Sequence, residues 1–159
     1  MAKKSKQSKT LPIYILNGPN LNLLGTREPE VYGYTTLAQV EQMCAKQAAS
    51  HGLSITFRQS NLEGEIVDQI QEARTGACGL IINPAGYGHT SIAILDSIQM
   101  LKVPVIEVHL SNIHRREPYR NHSYVSKAAT GIVMGLGAQG YLRAIDAVAE
   151  ILSAKGKKK

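Results

Sequence analysis

Short apolar runs alternate with longer stretches of helical periodicity along this chain, and that alternation limits the fold more than any other feature. Leu11-Pro-Ile-Tyr-Ile-Leu16, Leu53-Ser-Ile-Thr-Phe57, Cys78-Gly-Leu-Ile-Ile82, Val103-Pro-Val-Ile-Glu-Val108 and Gly131-Ile-Val-Met134 read as strands. Thr35 to Ser50, Glu63 to Arg74, Thr90 to Leu101 and Ala138 to Ser153 read as helices. The first of these is stopped by His51-Gly52, and in the second Ile66 and Ile70 stand four apart. Between the fourth and fifth strands lies only a short polar segment. Strand–helix alternation implies right-handed crossovers and a parallel sheet covered on both faces, and a covered parallel strand is a continuous apolar run, as the third one is.

The expected class is therefore α/β, a single-domain three-layer fold around a five-stranded parallel sheet. Precedent for such sheets gives the flavodoxin-like strand order 2-1-3-4-5. At 159 residues the chain has the size of one domain and is short for an eight-fold barrel. We expect a folded body over residues 11–153, with basic tails at 1–10 and 154–159.

The net charge of +6 belongs to the ends. Lys3, Lys4, Lys6 and Lys9 open the chain, and Lys155, Lys157, Lys158 and Lys159 close it. The rest carries ten basic and twelve acidic residues, a net of −2. Solvated, disordered tails are expected rather than a nucleic-acid surface. No stretch has the apolar length of a membrane span, and the charged start lacks the apolar run of a secretory signal. A cytoplasmic protein with no membrane partner is expected. Cys44 and Cys78 lie in apolar periodic segments with no C-x-x-C spacing, which suits reduced core thiols.

One connection is unusually long. Asn17 to Tyr34 joins the first strand to the first helix, and such a segment in a small domain is usually a lid or binding loop. It carries Arg27 and Tyr32. Removing it is expected to abolish activity and leave the fold intact.

In open parallel sheets, ligands bind beyond the carboxyl ends of the strands. Here those ends read Asn17-Gly-Pro-Asn20, Gln59-Ser-Asn61, Asn83-Pro-Ala-Gly-Tyr-Gly-His89 and His109-Leu-Ser-Asn112. Four polar strand ends in succession look like a site. Taken singly, each has a plainer reading. Asn17 and Asn83 suit turns, His89 an exposed ring near a helix start, and His109 a satisfied core position. Tyr32 suits packing, and Arg115, Arg116 and Arg120 a solvated face. Gly135-Leu-Gly-Ala-Gln-Gly140 matches G-x-G-x-x-G, but no strand and no acidic residue follow at the spacing a dinucleotide site needs; a tight turn with close helix–sheet packing explains the glycines. His109 and His114 lack the further ligands of a zinc set, so no metal is expected.

Longer blocks resemble one family, the type II 3-dehydroquinate dehydratases. The resemblance rests on Asn17-Gly-Pro-Asn-Leu-Asn-Leu-Leu-Gly25 with Arg27-Glu-Pro and Tyr32-Gly33. It extends through Gln59-Ser-Asn-Leu-Glu-Gly64, Asn83-Pro to His89-Thr-Ser91, Pro104 to Asn112, Arg116-Glu117 and Arg120 to Ser123. It spans roughly Leu11 to Leu152. It implies a flavodoxin-like lyase without cofactor that converts 3-dehydroquinate to 3-dehydroshikimate by anti elimination through an enolate. That step serves aromatic amino acid biosynthesis by the shikimate pathway, or quinate breakdown. Trimers assembled into dodecamers are also implied.

By the same resemblance Tyr32 is the base, its phenolate favoured by the cation Arg27, with Arg120 adding to the field. His109 is the general acid, and Glu107, two residues earlier on the same strand face, holds its ring. Asn17 orients a water that stabilises the enolate. Asn83, His89 and Arg120 grip substrate hydroxyls, while backbone N–H groups of Leu110 and Ser111, with Ser111 Oγ, bind the carboxylate. Asp96 comes from a neighbouring subunit; many members carry arginine before it, where this chain has Leu95. A flavodoxin-like ligand-binding or electron-transfer protein is the alternative, but Asn17-Gly-Pro-Asn-Leu-Asn does not resemble a phosphate loop. The Schiff-base type of dehydratase needs a barrel and a catalytic lysine. Lys46, Lys102 and Lys127, the lysines of the body, stand at no strand end.

Overall fold

Every strand places successive side chains on opposite faces, and both faces here need cover. In the computed structural model, which describes residues 10–157, the strands are β1 (Ile13–Asn17), β2 (Ile55–Gln59), β3 (Gly79–Asn83), β4 (Val105–His109) and β5 (Gly131–Met134). They form one parallel sheet in the order β2-β1-β3-β4-β5, as expected. The readings of residues 1–9, 158 and 159 as disordered ends lie outside the described residues.

The helices are α1 (Pro29–Tyr32), α2 (Leu37–Ser50), α3 (Glu63–Gly76), α4 (Ile92–Gln99) and α5 (Gln139–Gly156). Ile13, Ile15, Ile81, Ile106 and Val108 pack on one face against Val40, Cys44 and Ala48 of α2 and Tyr141, Ala144, Ile145 and Val148 of α5. Tyr14, Leu16, Leu80, Ile82 and Val105 face the other way, against Ile66, Ile70 and Ala73 of α3 and Ile94 and Ile98 of α4. The buried α5 positions recur at three- and four-residue steps, which makes this long helix amphipathic. Among the described residues, no helix is long and apolar enough to cross a membrane.

The differences from expectation have local causes. β1 and β4 begin two residues late because Pro12 and Pro104 have no N–H to give a ladder; their carbonyls instead accept from Cys78 and Leu80. α2 begins at Leu37 because Thr36 and Gln39 form a reciprocal capping box. α4 is shorter than Thr90–Leu101 because the Ser91 hydroxyl caps it. α5 continues three residues beyond Ser153, through Ala154 and Lys155, which suit a helix, so the folded body does not end there. Cys44 is buried, Cys78 is half-buried and both are free thiols.

The long connection is built in two parts. Its first part holds a 3-10 turn (Leu21–Leu23), and Leu21 and Leu24 are each only 6% exposed in the core. The expectation that removing the whole connection spares the fold is therefore corrected: excision would open the core. Only the outer part, residues 26–34 with α1, is separable cover. Backbone turns at Glu28 (φ 42°) and Gly33 (φ 82°) bracket α1 and set the direction of Tyr32.

Candidate active site

The sheet register sets the site. Asn17 pairs with Gln59 on one side and Asn83 on the other, so three strand ends finish level. Gly18 then crosses the rim so closely that a Cβ there would lie 2.3 Å from the Pro84 carbonyl oxygen, and its N–H donates to the Asn83 carbonyl. Behind the rim, the Tyr141 hydroxyl of α5 donates to Asn17 Oδ1 (2.6 Å) and accepts from Asn83 Nδ2 (2.9 Å). Burial pushes that hydroxyl up from the usual tyrosine range, so it stays protonated and serves as a bolt. Tyr141→Phe leaves two buried amide groups without their partner, a cost of about 2 kcal/mol. We expect a fall of about 6 °C in melting temperature, checked by thermal circular dichroism.

At the first strand end Pro19 and Asn20 line the cleft, while the Asn17 side chain, like the Gln59–Asn61 end, braces the scaffold. Asn17 also donates from Nδ2 to the Arg58 carbonyl (2.9 Å), and it does not line the cleft. Gln59 Nε2 braces the Gly18 carbonyl and Asn61 Oδ1, whose other bond is to the Asn20 N–H; the Ser60 hydroxyl donates to Glu65 at the start of α3.

At the end of β4, Glu107 and His109 stand on one strand face. Glu107 is fully buried, and His109 Nε2 lies 2.6 Å from its Oε1. Ser123 and Ser126 hydroxyls also donate to this carboxylate. Burial alone pushes the carboxyl up, but the hydrogen bonds from His109, Ser123 and Ser126 outweigh it and hold Glu107 below the usual carboxylate range. Glu107 is thus an anion that fixes His109 through Nε2, leaving Nδ1 for the cleft.

Across the cleft, the outer part of the connection presents Tyr32. The Arg27 guanidinium carbon lies 5.4 Å from the Tyr32 ring centre, and Arg27 also meets Glu28 at 3.4 Å. The group that touches the Tyr32 hydroxyl is Arg116, whose NH1 donates to it at 2.9 Å and reaches Ser111 Oγ at 3.4 Å. Arg120, expected to add to the Tyr32 field, is instead paired with Glu117 at 3.0 Å and stacked over Tyr119, while still lining the cleft. The solvated-face reading holds for Arg115, which is exposed, and fails for Arg116 and Arg120, which are half-buried.

The cleft, open on one side, spans about 730 Å³ of space that includes solvent at its mouth. Of the residues singled out in the sequence, Arg27, Tyr32, Asn83, His89, His109, Leu110, Ser111 and Arg120 line it. Glu107 acts from behind the wall. Asp96 is exposed on α4 and is not part of the cleft; His89 ends a 3-10 turn (Ala85–His89) before α4 begins, so the two do not share a helix. Sequence reasoning missed Tyr141, Ser123 and Ser126, and it left Arg116 without a role. The G-x-G-x-x-G stretch is a turn: Gly135 (φ 84°) and Gly137 (φ 57°) donate to the carbonyls of His109 and Leu110 and so steady the end of β4.

Comparison with known proteins finds close relatives. The family model described as dehydroquinase class II matches residues 11–149. The chain is 59% identical over 144 residues to the 3-dehydroquinate dehydratase of Streptomyces coelicolor, covering 90% of this chain and 92% of the relative. It is 62% identical over 143 residues to that of Caulobacter sp. strain K31, covering 90% and 97%. Its fold is similar to the crystal structure of type II dehydroquinase from Propionibacterium acnes, with TM-score 0.86, 40% identity and coverage of 89% and 97%.

Proposed function

The chain belongs to the class II dehydroquinase family, and from that premise we propose how its cleft dehydrates 3-dehydroquinate to 3-dehydroshikimate. The enzyme is a hydro-lyase. The reaction removes a proton beside a ketone and a hydroxyl one carbon further, so it needs a base, a stabilised enolate and an acid.

Tyr32 is the base. The observation that carries this reading is the Arg116 N–H held 2.9 Å from the Tyr32 hydroxyl, with Arg27 over the ring, on the wall of the same cleft as His109. Arg116 places positive charge beside the oxygen that takes the proton, and Arg27 adds its charge over the ring. Tyr32 takes the α-proton, the electron pair becomes the enolate, and the enolate then expels the β-hydroxyl. His109 protonates that hydroxyl from Nδ1, and water leaves. Glu107 supports the imidazolium through Nε2. The Tyr32 proton must then return to His109 before the next turnover.

The carboxylate of the substrate is assigned to Leu110 and Ser111 at the end of β4, and its hydroxyls to Asn83, His89 and Arg120. The role of Asn17 in ordering a water at the enolate is retained only through Asn83 and Tyr141, which share its hydrogen-bond chain. The exposed position of Asp96 supports its action in a neighbouring subunit's site, within a trimer-based dodecamer working in the cytoplasm.

The acid and base roles separate experimentally. In His109→Asn, elimination falls by about a hundredfold or more. The variant still exchanges the substrate α-proton with deuterated solvent above the uncatalysed background, because Tyr32 remains. NMR of recovered substrate measures the exchange, and loss of exchange in step with elimination would contradict the assignment.

A further inference from the structure

The 3-10 turn that carries His89 is tied to the segment after Arg120 by a reciprocal clasp. His89 Nδ1 lies 2.7 Å from the His122 carbonyl oxygen, and His122 Nε2 lies 2.9 Å from the His89 carbonyl oxygen. A third bond, from the Tyr124 N–H to the Gly88 carbonyl (2.8 Å), closes the same seam. Carbonyl oxygens carry no proton, so each ring nitrogen in the clasp must be the donor. His89 is therefore protonated at Nδ1, and its Nε2 is left with a lone pair in the cleft wall.

We propose that His122 is a positioning residue: its ring, bonded to the His89 carbonyl, holds its own backbone carbonyl against His89 Nδ1 and so keeps His89 in the Nδ1–H form, and the cleft meets substrate at this point with a hydrogen-bond acceptor. This rests on the reading of the cleft as the dehydration site. An acceptor at His89 selects a ligand hydroxyl, which can donate, over a carbonyl or ether oxygen in the same place; a site built for a hydroxyl donor rejects analogues that lack it. The groups facing His89 favour its neutral form. Burial lowers its affinity for a second proton, and the neighbouring His109, Arg120 and His122 add to that, against the opposing effect of its bond to the His122 carbonyl. His109 stacks on it at 6.3 Å between ring centres, and beyond His122 stand Tyr124, edge-on at 5.5 Å, and Lys127. His122 is itself exposed and does not line the cleft, so its effect passes through His89.

The test uses the full-length protein. Two-bond nitrogen–proton NMR on 15N-histidine-labelled protein, with His89 assigned by its loss in His89→Asn, reads the tautomer without substrate. The expected result is Nδ1–H in the wild type and a mixed or Nε2–H state in His122→Ala. Steady-state kinetics with 3-dehydroquinate should then show KM raised about tenfold in His122→Ala with kcat changed less than about threefold. His122→Gln, whose amide N–H can restore the bond to the His89 carbonyl, should recover most of the loss. Nε2–H or doubly protonated His89 in the wild type overturns the proposal, as does an unchanged KM in His122→Ala. If the alanine variant does not fold, the wild-type tautomer and the glutamine variant decide. A wild type that fails to turn over 3-dehydroquinate would refute the dehydration reading and leave the tautomer result standing.

Discussion

Tyr32→Phe is expected to lower kcat by about a thousandfold or more, with the far-ultraviolet circular dichroism and melting temperature nearly unchanged. The ring of Tyr32 is half-buried and packs against the core beneath α2 and α5, and phenylalanine keeps that packing. What is lost is the oxygen, and with it the group that takes the proton; removal of a positioned base typically costs up to about ten-thousandfold. KM should move little, because the hydroxyl acts on the reacting carbon rather than on the binding groups. A variant that keeps a tenth of the wild-type kcat would mean that another group removes the proton.

Arg116→Ala is expected to lower kcat/KM by about a hundredfold or more, and more than Arg120→Ala does. Arg116 donates to Tyr32 and reaches Ser111, whereas Arg120 is engaged with Glu117. Removing one oriented donor from a developing or resident anion commonly costs about a hundredfold to a thousandfold. Arg116→Lys should recover only part, since an ammonium cannot span Tyr32, Ser111 and Glu117 as the planar fork does. Added guanidinium ion should restore activity to Arg116→Ala in a concentration-dependent way and do nothing for Tyr32→Phe. Equal losses in the Arg116 and Arg120 variants would mean that Arg116 has no special role at the Tyr32 hydroxyl.

The strand and helix faces are legible because the core obeys short-range rules, whereas the strand order rests on precedent for such sheets. Ile13 and Ile15 against Tyr14 and Leu16, and Ile66 with Ile70, declare their faces by period alone. The starts of β1 and β4 fall later than their apolar runs because Pro12 and Pro104 cut the ladder, although the missing N–H is visible in the sequence. The long connection declares itself by its length, but Leu21 and Leu24 give no sign in sequence that half of it belongs to the core.

The site was legible where residues act from strand ends, as with Glu107 and His109, two apart on one face. It was not legible where long-range contacts decide. Arg115, Arg116 and Arg120 look alike in sequence, and only the approach of Tyr32, 84 positions away, separates Arg116 from its neighbours. Tyr141 reads as an ordinary apolar helix position until the fold sets its hydroxyl between Asn17 and Asn83. Ser123 and Ser126 lie in a polar segment with no periodic signal, and the buried charge of Glu107 is what gives them a function.

The most direct test of the account is the absorbance of the conjugated enone when purified protein is mixed with 3-dehydroquinate, run with and without borohydride. The predicted result is steady formation of the enone without added metal or cofactor, and no inactivation by borohydride in the presence of substrate. A folded protein that forms no enone, or one that borohydride and substrate together inactivate through a lysine, would contradict it.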